Sequence, residues 1–94
     1  MTTTGKSIHV PLGRPLATPG VLKVTTAAER NIAFTRHSLG DWGDVCKEDW
    51  QTNDQALRDG ERLLSIYHTL NGTKFYIITE ADRSATTILL PSEY

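Results

Sequence analysis

Three groups of residues in this 94-residue chain have the types that chemistry uses. The first is Thr79-Glu80-Ala81-Asp82-Arg83-Ser84, where two carboxylates and a guanidinium crowd one short stretch. At a strand–turn junction Glu80, Asp82 and Arg83 would suit acid–base work or the tip of an interaction surface. The plainer alternative is a turn in which Asp82 and Ser84 bond local backbone and Arg83 pairs with Glu80 or another acid. No histidine or nucleophile is tied to the group by spacing, which favours the turn.

The second group is Asp41-Trp42-Gly43-Asp44. A tryptophan between two glycines and two aspartates suits a protein-binding loop, because tryptophan is a frequent hot-spot residue. The competing reading has Trp42 plugging the end of a small core while Asp44 caps the next helix. The spaced ligand loop of a calcium site is absent. The third group is Tyr67 and Tyr76 with Lys74, expected to meet across neighbouring strands as a partner surface or as a cross-strand pair. Stacking of RNA bases is a further use of such a pair, but no RNP-like motif accompanies it.

Other chemistry is thinly supported. His9, His37, His68 and Cys46 show no metal-ligand spacing, so no metal is expected. His68 reads as a hydrogen-bonded core histidine and Cys46 as a buried, inert thiol. There is no phosphate-binding loop, dinucleotide fingerprint or nucleophile elbow, so neither a cofactor nor a catalytic residue is assigned. The net charge of -1 gives no global case for nucleic acid or an anionic membrane. One cysteine forbids an intrachain disulfide and fits a reducing cytosol. No stretch approaches the ~20 apolar residues of a spanning helix, and the expectation is a cytoplasmic protein.

The elements that must position these residues follow from local pattern. Prolines 11, 15 and 19 make residues 1–20 an extended arm, with Ile8, Val10, Leu12 and Leu16 as possible anchors and Thr18-Pro19-Gly20 starting a short turn. Residues 21–94 form one α+β domain. Thr26-Ala27-Ala28-Glu29 matches a capping box that opens a helix over 27–38, with Ala28, Ile32 and Ala33 as its narrow apolar stripe. A second helix runs over about 45–59 and ends at Gly60, with Cys46, Trp50, Asn53 and Leu57 at helical spacing.

From Arg62 the period becomes two. Strand 63–70 is followed by Asn71-Gly72, a two-residue hairpin signal that pairs Tyr67 with Tyr76 and Ile66 with Ile77. A second turn near Asp82-Arg83 places Thr79 opposite Thr86 and Ile77 opposite Ile88. This arrangement is a three-stranded antiparallel meander covered by two helices, in the order α-α-β-β-β. Leu64, Ile66, His68, Phe75, Ile77, Thr79, Thr86, Ile88 and Leu90 take the core face. Tyr67, Lys74, Tyr76, Ile78 and Leu89 take the outward face with Leu63, Ser65 and Thr87.

GDWGDV (40–45), Asp49, Asn53, Ala56-Leu57, Gly60, RLLSIY (62–67) and ITEADRSATTILLPSEY (78–94) together resemble a family of small proteins of bacterial plasmids and integrative elements. The resemblance spans about residues 12–94, and the tail is its most specific part. It carries no activity and no catalytic residues; what it implies is an accessory protein of mobile DNA. The expected function is therefore non-enzymatic binding and inhibition of a macromolecular partner, such as a bacterial defence complex, in the manner of an anti-CRISPR protein. Partner-binding residues would be Asp41, Trp42, Asp44, Tyr67, Lys74, Tyr76, Glu80, Asp82 and Arg83, and the acids Asp41, Asp44, Glu48, Asp49 and Asp54 would meet a basic groove. The alternatives are a toxin-like ribonuclease using His68, Tyr76 and Arg83, or a homodimer built through the outward sheet face.

Overall fold

The computed structural model describes residues 9–94; the first eight residues of the expected arm, Ile8 among them, lie outside the described residues. The chain runs β1 (Arg14–Ala17), α1 (Pro19–Val24), α2 (Ala27–Ser38), α3 (Lys47–Asp59), β2 (Leu63–His68), β3 (Lys74–Thr79), β4 (Ala85–Leu89) and a closing 3-10 turn, Pro91–Glu93. It is an α+β fold. The sheet is four-stranded and mixed, in the order β1-β4-β3-β2, with β1 parallel to β4 and the other pairs antiparallel.

This corrects the three-stranded meander, because part of the arm is a strand. Arg14 N–H donates to the Ser84 carbonyl at 3.0 Å and Thr18 N–H to the Ile88 carbonyl at 3.1 Å. Alternate residues thus turn their backbone N–H toward β4, and the N–H that Pro15 lacks would have faced solvent on the edge. Val10 is buried against Trp42, Ala56 and Leu63, Leu12 is half-buried beside them, and Leu16 is exposed. Thr18 caps α1, and the Glu93 carboxylate accepts from Gly20 N–H at 3.0 Å, tying the end of the described chain to its beginning.

The expected capping box is present in α2: Thr26 Oγ1 accepts from Glu29 N–H at 3.1 Å, and Glu29 Oε1 from Thr26 N–H at 2.8 Å. Its buried positions are Ala33 and His37, with Phe34 half-buried, so Ala28 and Ile32 lie to one side of the contact stripe. Helix α3 begins two residues later than expected. Cys46 stands at its N-cap with no side-chain bond and an exposed thiol, while Asp44 is drawn away to His68. Gly60 closes it in the left-handed region.

The first hairpin corrects the side-chain sorting. Thr69 C=O accepts from Gly72 N–H and Thr69 N–H donates to Thr73 C=O, each at 2.9 Å, so the loop is Leu70-Asn71-Gly72 with the glycine at φ 89°. One more loop residue than a two-residue turn shifts the pairing by one: Tyr67 faces Phe75, Ile66 faces Tyr76, and His68 faces Lys74. A shift of one residue turns a whole strand over. Leu63, Ser65 and Tyr67 are therefore buried, while Leu64, Ile66 and His68 face outward; Tyr67 does not stand opposite Tyr76 on an open surface.

The second hairpin keeps the expected register, Thr79 with Thr86 and Ile77 with Ile88. The core then joins Val21, Ala33, Tyr67, Phe75, Ile77 and Ile88, with α1 against β4, α2 against β3 and α3 against β2. On the opposite face the Tyr94 ring stands edge-on to Tyr76 at 5.9 Å, with Ile78 and Leu89 buried nearby. That face is thus partly closed by the chain's own tail.

Candidate functional site

Helix periodicity gives α2 two distinct working faces. Ala33 and His37 point into the core, while Ala28, Glu29, Ile32 and Arg36 look toward the end of β2. Because the backbone of the 42–44 segment pairs with β2 no further than Ile66, the last residues of β2 face this side of α2 across an open groove. Tyr67 and Phe75 contribute to the groove's floor with Ala33, Ile32 and Leu70 flank it, and its volume is about 340 Å³. Leu70 is 100% exposed at the hairpin tip and Ile32 is 61% exposed. A leucine left wholly in water beside a second aliphatic side chain marks a surface suited to association.

The groove's mouth is polar and held in place. Glu29 Oε2 accepts from Leu70 N–H at 3.1 Å, which fastens the hairpin tip to α2. The backbone donors of Thr26 and Leu70 hold the Glu29 carboxyl below its ordinary pKa. Arg36 lies 4.8 Å from the centre of the Tyr67 ring and donates twice to Asp41, from Nε at 2.8 Å and Nη2 at 3.2 Å. That pairing lowers the Asp41 pKa and raises that of Arg36. Tyr67 donates its hydroxyl to the Asp41 carbonyl at 2.6 Å, and burial raises its phenol pKa. His68 Nδ1 sits 2.7 Å from Asp44 Oδ2 on an exposed surface, which corrects its expected core position.

The nine expected partner residues separate into three places. Asp41 pairs with Arg36, which lines the groove, Asp44 pairs with the outward-facing His68, and Lys74 is exposed opposite His68 in the sheet. Trp42 is fully buried, with its ring edge-on to His37 at 5.4 Å and its indole N–H donating to Asp54 at 2.9 Å. Trp42 is therefore a core residue beside α3, and Tyr67 belongs to the groove's floor. Tyr76 lies on the other face of the sheet beside Tyr94.

Glu80, Asp82 and Arg83 lie at the far end of β3, roughly 17 Å along the strand from Lys74. There Asp82 accepts from Ser84 N–H at 3.0 Å, and Glu80 approaches Arg62 at 3.8 Å. Arg83 Nη1 donates to the Glu61 carbonyl at 2.6 Å and Nη2 to that of Ala56 at 3.3 Å, closing the end of α3. His68, Tyr76 and Arg83 accordingly do not converge. Among the described residues no group of three or more His, Cys, Asp or Glu could hold a metal ion, and no helix is long and apolar enough to cross a membrane.

Sequence reasoning missed Arg36, Glu29, Ile32 and Leu70. The available signal was the position of Ile32 at the edge of a stripe centred on Ala33 and His37, which leaves a large aliphatic residue beside the helix's contact face. Comparisons of the chain with protein-family models, with curated proteins and with solved structures give no match.

Proposed function

We propose that this chain is a non-enzymatic accessory protein of a mobile element that binds a macromolecular partner and blocks it. A bacterial defence complex is the concrete version, inhibited in the manner of an anti-CRISPR protein. The observation that carries the binding reading is the open apolar groove flanked by Ile32 and Leu70, two aliphatic residues that the fold itself leaves in water. Glu29 and Arg36 line the groove and Asp41 pairs with Arg36, so the acids exceed the bases by one even with Asp44 set against Lys74. A net charge at a contact surface speeds encounter with an oppositely charged partner. The mobile-element context comes from the resemblance of residues 78–94.

The test is phage restriction in a bacterium with an active CRISPR system. Expression of the chain should restore plaques, and a stoichiometric host protein should co-purify with it after nuclease treatment. The Ile32→Glu, Leu70→Glu double variant, altered only at exposed positions, should fold and lose both effects. Unchanged restriction together with no stoichiometric partner from the host would sink this reading.

A further inference from the structure

The free edge of β2 is closed in steps, and one step is left open. In the alternation of this antiparallel pair, Leu64, Ile66 and His68 turn their backbone N–H and C=O away from β3. The Asn53 carboxamide takes both groups of Leu64, its Nδ2 donating to the carbonyl at 2.7 Å and its Oδ1 accepting at 3.2 Å. Ile66 donates to the Trp42 carbonyl at 3.1 Å and accepts from Asp44 N–H at 2.7 Å, as a short parallel bridge. Leu70 N–H, one step beyond His68, is taken by Glu29. Among the described residues the backbone of His68 alone in this series has no partner, and His68 lines the apolar groove.

Resting on the reading of the chain as a binding protein, we propose that its partner docks here by strand addition. An extended segment of the partner pairs one backbone N–H and one C=O with those of His68. It lays an apolar side chain between Ile32 and Leu70 and carries lysine or arginine beside it, facing Glu29 and Asp41. An open backbone pair selects an extended chain, since a helix spends its own N–H and C=O groups internally. Glu29 and Asp41 exceed Arg36 by one charge, and Asp44 is offset by Lys74 opposite His68, which leaves one net negative charge to favour basic flanks over phosphate backbones. The cavity of about 340 Å³ is at the lower end of ligand-site volumes and fits one or two side chains, not a domain.

The probe is the capped pentapeptide acetyl-Lys-Val-Leu-Val-Lys-amide, titrated into the isotopically labelled full chain by NMR. Saturable shifts centred on the amides of His68, Leu70 and Ile32 are expected, with Kd of roughly 1 mM. Methylating the peptide's backbone nitrogens should weaken binding about tenfold, and so should replacing both lysines by glutamate. Ile32→Glu should abolish the shifts at His68. Equal binding of the methylated peptide, shifts elsewhere on the surface, or no saturable shift would overturn strand addition. Shifts at the same amides on raising the protein's own concentration, without peptide, would make the occupant a second copy and also overturn it. Restoration of plaques that survives Ile32→Glu would refute this site while leaving the binding function standing.

Discussion

His37 Nε2 lies 2.8 Å from Thr79 Oγ1, and the neighbours of Thr79 decide which of the two carries the proton. Thr86 spends its single hydroxyl hydrogen on the Leu12 carbonyl at 2.8 Å. The Thr79 hydroxyl, 2.7 Å from Thr86 Oγ1, must then donate to it. Thr79 can only accept from His37, so Nε2 carries hydrogen, and Nδ1 accepts from the Ser65 hydroxyl at 2.6 Å. A chain of single-hydrogen donors therefore fixes one neutral tautomer of a fully buried imidazole. The network also ties α2, β2, β3, β4 and the segment before β1 together.

The pH dependence of stability follows. Burial, with a smaller contribution from the charge of Arg83, pushes His37 from 6.5 down to about 4. The unfolded chain thus takes up a proton between these values that the folded chain refuses. The stabilisation is fully present above pH 6.5 and is lost as pH falls from 6.5 toward 4, by on the order of 3 kcal/mol. Below that window the loss passes to carboxylates such as Asp41, whose pKa Arg36 depresses. Urea denaturation across this range should show a slope in the parent that is much shallower in His37→Gln, where only carboxylates such as Glu29 still contribute toward the acid end. Parallel pH profiles for the two proteins would refute the assignment.

Asn53 gives a second prediction. Its carboxamide imitates a strand residue by donating to and accepting from the backbone of Leu64, and it is itself buried. Asn53→Ala should leave two half-buried backbone groups of Leu64 unpartnered and cost about 1–3 kcal/mol. Asn53→Asp keeps the acceptor but loses the donor, and should also destabilise. Equal denaturation midpoints for Asn53→Ala and the parent would show that water replaces the amide without loss.

How much of this was legible in the sequence depends on how local the cause was. The capping box of α2, the stop at Gly60 and the pairing of Thr79 with Thr86 are set by neighbouring residues, and all were readable. The hairpin at Asn71-Gly72 was readable as a hairpin but not in its register. Whether Gly72 is the second residue of a two-residue turn or the last of three is decided by the faces of β2, and Tyr67 is apolar enough for either. Its hydroxyl finds the Asp41 carbonyl only once the 41–44 loop has folded over the edge. The groove depends on that same register, so Leu70 could not be placed beside Ile32 from pattern alone. Edge strand β1 escaped because three prolines argue against a strand unless its exposed side is known.

Glycine at position 43 should be far less replaceable than glycine at position 72, although both have positive φ, 78° and 89°. A Cβ on Gly43 would come within 2.0 Å of the Ile66 carbonyl oxygen and 2.7 Å of the Tyr67 ring, whereas one on Gly72 meets nothing within 4 Å. Gly72→Ala should cost about 1 kcal/mol from backbone conformation alone. Gly43→Ala adds a steric clash at the bridge that closes β2, and should cost at least about twice as much. Thermal denaturation of the two variants checks the order, and an equal loss would mean that the 42–44 loop moves aside freely.

Arg83 supplies the last prediction, because it separates a structural role from a functional one. It is the only non-glycine among the described residues with positive φ, 62°, and its guanidinium closes the carboxyl end of α3 through Ala56 and Glu61. Arg83→Gly relieves the backbone and removes the side chain; Arg83→Ala keeps the backbone strain and removes the same bonds. If the helix-closing bonds dominate, both variants lose about 1–3 kcal/mol, with the alanine variant the less stable by up to about 1 kcal/mol. Arg83→Lys should recover little, since a single ammonium cannot span both carbonyls as the planar fork does. Partner binding at the groove should be unchanged in all three, measured at a temperature where each is folded. A variant with parental stability but lost binding would instead make Arg83 a contact residue and return the 80–84 turn to the list of interaction surfaces.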